Sequence, residues 1–153
     1  MTSLRFDPKD PEFRTRVESS FARQRAMSLL GITIARVEAG EVELTFPFRE
    51  DLTQQHGFIH AGVVATALDS AAGYAAFTLM PSDAAVLTVE YKVNLLSPAK
   101  GESFRAIAKV VKPGRTISVC QAEAFAIDNG KEKLVASLTA TVMAVVGRDA
   151  VKG

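Results

Sequence analysis

Residues 56 to 70 read HGFIHAGVVATALDS and hold both of the chain's histidines, His56 and His60, with Asp69 nine residues after the second. Three chemistries compete for this stretch. Two histidines at i, i+4 on a helix can share a zinc ion, but the metalloprotease pattern HExxH has Gly57 at its second position here. Asp69 lies about 13.5 Å further along such a helix, too far to be a third ligand from the same chain. A helix beginning near His60 offers something else. The N–H groups around Ala61, Gly62 and Val63 have no partners inside the helix and carry the positive end of its dipole. Small side chains at 61 and 62 let a substrate approach that backbone, where developing negative charge on a carbonyl oxygen would be stabilised. The same small residues would equally let the helix pack closely on a strand. Asp69, among Ala65, Leu68, Ala72, Gly73 and Ala76, is costly to bury unless it is paired or useful. It either reacts or bonds a backbone group or hydroxyl across an interface. If it serves one site with the helix start, the two must come from different chains. An antiparallel second helix would then bring Asp69 of one subunit to the helix start of the other, giving two identical sites per dimer.

The elements that would position these groups follow from the patterning. DPEFRTRVESSFARQRAMSLLG, residues 10–31, reads as one helix capped by Asp10, with Pro11 at its first position and Gly31 at its stop. ITIARVE and EVELTFPF alternate with period two around an AG turn, and REDLTQQHG is a polar connection. The alanine-rich run after His60 favours helix. LTVEYKVNLL, SFRAIAKVVK, RTISVCQAEAFAI and KLVASLTATVMAVV are strands separated by turn-formers, with DNG marking a hairpin. Residues 147–153 read as a loose tail. A helix that is apolar all round must be buried all round. The expected architecture is therefore α+β: an antiparallel sheet of five or six strands curled around a long central helix. A further helix precedes it, and a second copy of the chain hides what the sheet leaves open. One domain over 1–153 suffices, with its core at 32–146.

Composition narrows the setting. The chain is 48% hydrophobic and 23% charged, with 18 basic against 17 acidic residues, so neither a nucleic-acid surface nor a basic tract is expected. Cys120 is the single cysteine and excludes an internal disulfide. With a polar, charged opening unlike a signal peptide, this suggests a cytoplasmic protein. Residues 61–80 are apolar enough to raise membrane insertion, but Asp69 near their middle would cost roughly 2.5–3.5 kcal/mol there. Cys120 lacks a neighbouring histidine, Ser70 lacks a G-x-S-x-G context, and Tyr74, Phe77 and Met80 read first as core. Lys92 and Asn94 alternate with apolar residues on the outer face of a strand.

The strings IHAGVVATALDS, LTVEYKVNLLSPA and VVKPGRT together resemble the hotdog-fold acyl-CoA thioesterases of the phenylacetate-pathway type, over roughly residues 27–146. The resemblance implies the hotdog fold, in dimers that often pair into tetramers, and hydrolysis of an acyl-CoA; with 7% aromatic residues and small side chains along the helix, a small aryl or medium-chain acyl group is expected. No cofactor or metal is then needed, coenzyme A being part of the substrate. It implies that the Ala61 amide polarises the thioester carbonyl and that Asp69 of the opposite subunit is general base or nucleophile. Gln54 would stand near the thioester or the attacking water, Thr88 would position that water, and His60 would brace the helix start. Gly62 would allow close approach, and Lys112, Gly114, Arg115 and Thr116 match a loop that touches the nucleotide part of coenzyme A. Ala61 stands where the family has the first glycine of HGG, which keeps the amide but adds a methyl beside the carbonyl. A non-catalytic acyl-CoA-binding protein is the rival from another class. A dehydratase would want a histidine paired with an acid at another spacing.

Overall fold

A computed structural model describes residues 5–153; the first four residues of the span read above as one domain lie outside the described residues. The chain runs α1 (Phe13–Ala22), α2 (Arg25–Leu30), β1 (Thr33–Glu38), β2 (Glu41–Pro47), α3 (Ala61–Phe77), β3 (Ala84–Leu95), β4 (Ser103–Lys112), β5 (Ile117–Asp128) and β6 (Lys131–Val146). A short 3-10 turn at Glu50–Leu52 lies between β2 and α3. The strands form one antiparallel sheet in the order β1-β2-β4-β5-β6-β3. The antiparallel sheet around a central helix expected from the sequence, with five or six strands, has six, and its β5–β6 hairpin turns at Asn129 and Gly130, both at positive φ.

Helix and sheet approach closely because both contact surfaces are small. Ala67, Ala71, Ala72, Ala75 and Ala76 of α3 are buried, and so are Ala106, Ala108, Ala122, Ala124, Ala136 and Ala140 on the inner sheet face. Phe46 and Phe104 stack at 5.1 Å between centroids and fill one end of the layer. At the other end buried Thr78 donates to Ala75 O at 2.6 Å and accepts from Gly40 N at 2.8 Å, tying the β1–β2 turn to the helix terminus.

The single helix expected over 10–31 is a correction: it is two helices with a break at Arg23 and Gln24. Phe13, Val17 and Phe21 share one face, but on a continuous helix Met27 and Leu30 would point about 80° and 140° away from it. Breaking the helix lets Met27 reach the core, where it is buried. Asp10 does not cap through its side chain in the expected way. The helix starts at Phe13, the Asp10 carboxylate accepts from Glu12 N at 2.9 Å, and Pro11 stands outside. Gly31 does stop α2 in the left-handed region, at φ 72°.

Asp10 has a second task. Its other oxygen accepts from Arg16 at 2.6 Å, and Arg16 donates to Phe77 O and Met80 O at 2.8 and 2.9 Å while lying over the Phe77 ring. Burial pushes the Arg16 guanidinium down and Asp10 opposes that shift. Arg16→Ala leaves the carboxylate and two carbonyls at the end of α3 without their partner. It is expected to lower stability by about 3 kcal/mol in urea unfolding.

Two further features bear on function. β3 carries a bulge between Thr88 and Glu90, so Val86 and Thr88 face α3 before it and Val93 packs on the core after it. Its outer edge leaves Val89 56% and Leu95 57% exposed. The final loop, residues 147–153, runs back to α1, where Arg23 donates to Gly153 O. Among the described residues no helix is long and apolar enough to cross a membrane.

Candidate active site

The approach to α3 is set by its preceding loop. Thr53 and Ile59 form a bridge, Gln54 N donates to Phe58 O at 2.8 Å, and His60 N donates to Leu52 O at 2.9 Å. The Gln54 side-chain oxygen accepts from His56 N at 2.6 Å, which leaves its NH2 group for the adjoining groove. His60 is the N-cap: its Nδ1 accepts from Gly62 N at 2.8 Å. A ring nitrogen that accepts holds no proton, so a neutral His60 carries its proton on Nε2. Val63 and Val64 N–H groups both find His60 O. The Ala61 N–H therefore differs from its neighbours, because among the described residues it has no hydrogen-bond partner. It opens onto a groove of about 520 Å³ walled by Gln54, Phe58, Ile59, Val64, Leu95 and Val135.

Asp69 sits elsewhere. Thr88 Oγ1 on β3 donates to Asp69 Oδ1 at 2.7 Å, and among the described residues the other carboxylate oxygen has no hydrogen-bond partner. A cavity of about 80 Å³ adjoins this pair, bounded also by Gln24, Ser70, Gly73, Tyr74 and Val86. Gly62, Thr66, Asp69, Ser70 and Gly73 recur at helical spacing, so Asp69 lies on the one face of α3 whose first half the sheet does not cover. Eight residues separate Ala61 from Asp69, about 12 Å of helix. Within one chain the two groups therefore open into different cavities. Thr88 joins Asp69, and Gln54, His60, Ala61 and Gly62 gather at the helix start; one chain does not unite the two sets.

The third group lies at the far end of α3. Gly114 and Arg115 border a cavity of about 290 Å³ with Lys9, Ala76, Met80 and Ser118. Gly114 N donates to Ser118 Oγ at 3.2 Å, and a Cβ at this glycine would stand 1.9 Å from Ile117 O, so the turn admits no side chain. Thr116 O accepts from Ala144 N at 2.8 Å, while the exposed Lys112 ends β4.

Other candidates resolve as packing. Cys120 is fully buried and burial pushes its thiol up to about 12, far from a usable thiolate. Tyr74 pairs its hydroxyl with Ser20 Oγ at 3.1 Å, and burial raises its phenol. Lys92 and Asn94 are exposed. Among the described residues no three His, Cys, Asp or Glu side chains gather as metal ligands would. Gln24 was not foreseen at this site, since an unbroken helix would have given no reason to single it out. Only the drift of the apolar stripe after Phe21 hinted at a break.

A family model described as thioesterase superfamily matches residues 56–133. The crystal structure of a thioesterase family protein from Silicibacter pomeroyi superposes with a TM-score of 0.87 at 56% identity, covering 88% of this chain and 99% of that one. The medium/long-chain acyl-CoA thioesterase YigI of Escherichia coli is 27% identical over 129 residues, 74% of this chain and 81% of that protein. The PaaI protein from the phenylacetic acid degradation operon of Escherichia coli shares the fold at a TM-score of 0.79 and 19% identity, over 89% and 95% of the two chains.

Proposed function

The chain belongs to the thioesterase superfamily, and on that premise we propose that it hydrolyses a small aryl- or medium-chain acyl-CoA at two sites shared between paired subunits. The unpaired Ala61 amide, facing a groove at the positive end of α3, is the observation that carries this reading. Its N–H receives the thioester carbonyl oxygen, with Gln54 NH2 beside it. Asp69 of the facing subunit, one oxygen held by Thr88, uses the other either to take a proton from water or to attack the carbonyl itself. In the first case water adds to the carbonyl carbon and the oxygen gains negative charge. The carbonyl then re-forms, the C–S bond breaks, and the sulfur leaves as thiolate to collect a proton. In the second case the thiolate leaves first and water opens the resulting anhydride. His60 holds the helix start and moves no proton in either case.

The uncovered face of α3 and the exposed apolar edge of β3 support the pairing of subunits, as a dimer or as a dimer of dimers. Gly62 gives the substrate room, and Lys112, Gly114, Arg115 and Thr116 meet the nucleotide of coenzyme A. The acid and free coenzyme A are the products, no resident cofactor takes part, and the reaction belongs in the cytoplasm.

Thiol release from acyl-CoAs running from acetyl to long-chain, with phenylacetyl and hydroxybenzoyl esters alongside, tests this reading. Release is expected, strongest among medium-chain or aryl members. Saturable ester binding without release from any of them would make the protein a binding module instead.

A further inference from the structure

We infer that Gln24 and Gly73 select the acyl group, and that the preferred chain carries a hydroxyl or keto oxygen within its first few carbons. The inference rests on the placement of the thioester at Asp69 proposed above. From that point the two arms of the substrate diverge. The coenzyme A arm is long and has to reach solvent, whereas the cavity beside Asp69 and Thr88 measures about 80 Å³. That is room for roughly three water-sized groups. The first carbons of an acyl chain fit it.

Two residues make this cavity what it is. Gly73 is buried in α3, yet a Cβ there would meet no heavy atom within 4 Å beyond its chain neighbours and the helix's own backbone. Alanine would fit and would stabilise the helix by roughly 0.5–1 kcal/mol, so the glycine keeps a space that packing does not require. Gln24 comes from the break between α1 and α2, where an extended ψ of 96° brings its side chain onto the same cavity. Its oxygen takes a long contact of 3.5 Å from Ser70 Oγ, and its amide also influences the Tyr74 hydroxyl. One N–H of its NH2 group serves the Tyr74 hydroxyl, and the second N–H has no hydrogen-bond partner among the described residues. A plain alkyl chain would desolvate that amide and leave it unmet, while an oxygen near the third carbon would accept from it.

The test compares hexanoyl-CoA with 3-hydroxyhexanoyl-CoA on wild type, Gln24→Met and Gly73→Ala, with acetyl-CoA as a small control. Wild type is expected to favour the hydroxy ester by about tenfold or more in kcat/KM. Gln24→Met keeps the bulk and loses the amide, so the preference should vanish, mainly through KM. Gly73→Ala should raise the melting temperature and cut kcat/KM on both six-carbon esters about tenfold, with a smaller loss on acetyl-CoA. An identical ester ratio in wild type and Gln24→Met, or unaltered turnover of every ester by Gly73→Ala, would overturn the inference. If wild type releases thiol from no ester, the hydrolytic reading fails separately. Calorimetric affinities for the two six-carbon esters then decide: a hydroxy preference lost in Gln24→Met sustains it, and equal affinities in wild type overturn it.

Discussion

Asp69→Asn is expected to lower kcat by about a thousandfold, the scale on which a positioned acid–base group contributes, with ester affinity changed less than about threefold. Asparagine keeps an oxygen for Thr88 Oγ1, so the 2.7 Å hydrogen bond and the packing around it survive. Only the basicity and nucleophilicity of the free oxygen are lost. Thiol release under single-turnover conditions, read beside equilibrium binding of the same ester, separates the two effects. A kcat within tenfold of wild type would remove Asp69 from the reaction and return it to a structural carboxylate held by a strand.

The second large effect concerns the sharing of sites. Proline is well tolerated at the first position of a helix, and His60 at φ −58° and ψ 137° already has the backbone that a following proline demands. Ala61→Pro therefore deletes one N–H, the one without a partner, and little else. A loss of about 10²–10³ in kcat is expected, the cost of one oxyanion donor. Subunits carrying Ala61→Pro and subunits carrying Asp69→Asn should then rescue each other when mixed after denaturation and refolding. Half of a random mixture pairs unlike chains, and each such pair holds one intact site of two, so activity should return to about a quarter of wild type. No recovery, with mixed pairs verified by mass, would show that each chain serves its own site.

Much of this arrangement is legible in the residues. Period-two alternation and turn chemistry mark the strands, and an alanine-rich run without a polar face demands a central helix. Asp69 stands out because a carboxylate in such a run needs a reason, and Thr88 supplies its immediate partner. The N-terminal helices were harder to read. Asp10, Pro11 and Gly31 advertise one helix, and local signals of that kind say nothing about where the core requires Met27. Gln24 was invisible for the same reason, since its place beside Asp69 comes from tertiary packing rather than from its neighbours in sequence. The free amide of Ala61 could be expected from any helix start. That His60 takes the Gly62 N–H through Nδ1, leaving Ala61 alone, emerges only from the folded loop.

The bulge in β3 lets one strand answer to two masters. Before it, even-numbered residues look toward α3, and Thr88 among them meets Asp69; after it, odd-numbered Val93 does so and helps close the core. A strand without the extra residue would have to choose. Deleting Val89 alone would carry either Thr88 or Val93 round to the outer surface, whereas a two-residue change preserves the parity. Along this strand, natural variation in length should therefore come in pairs.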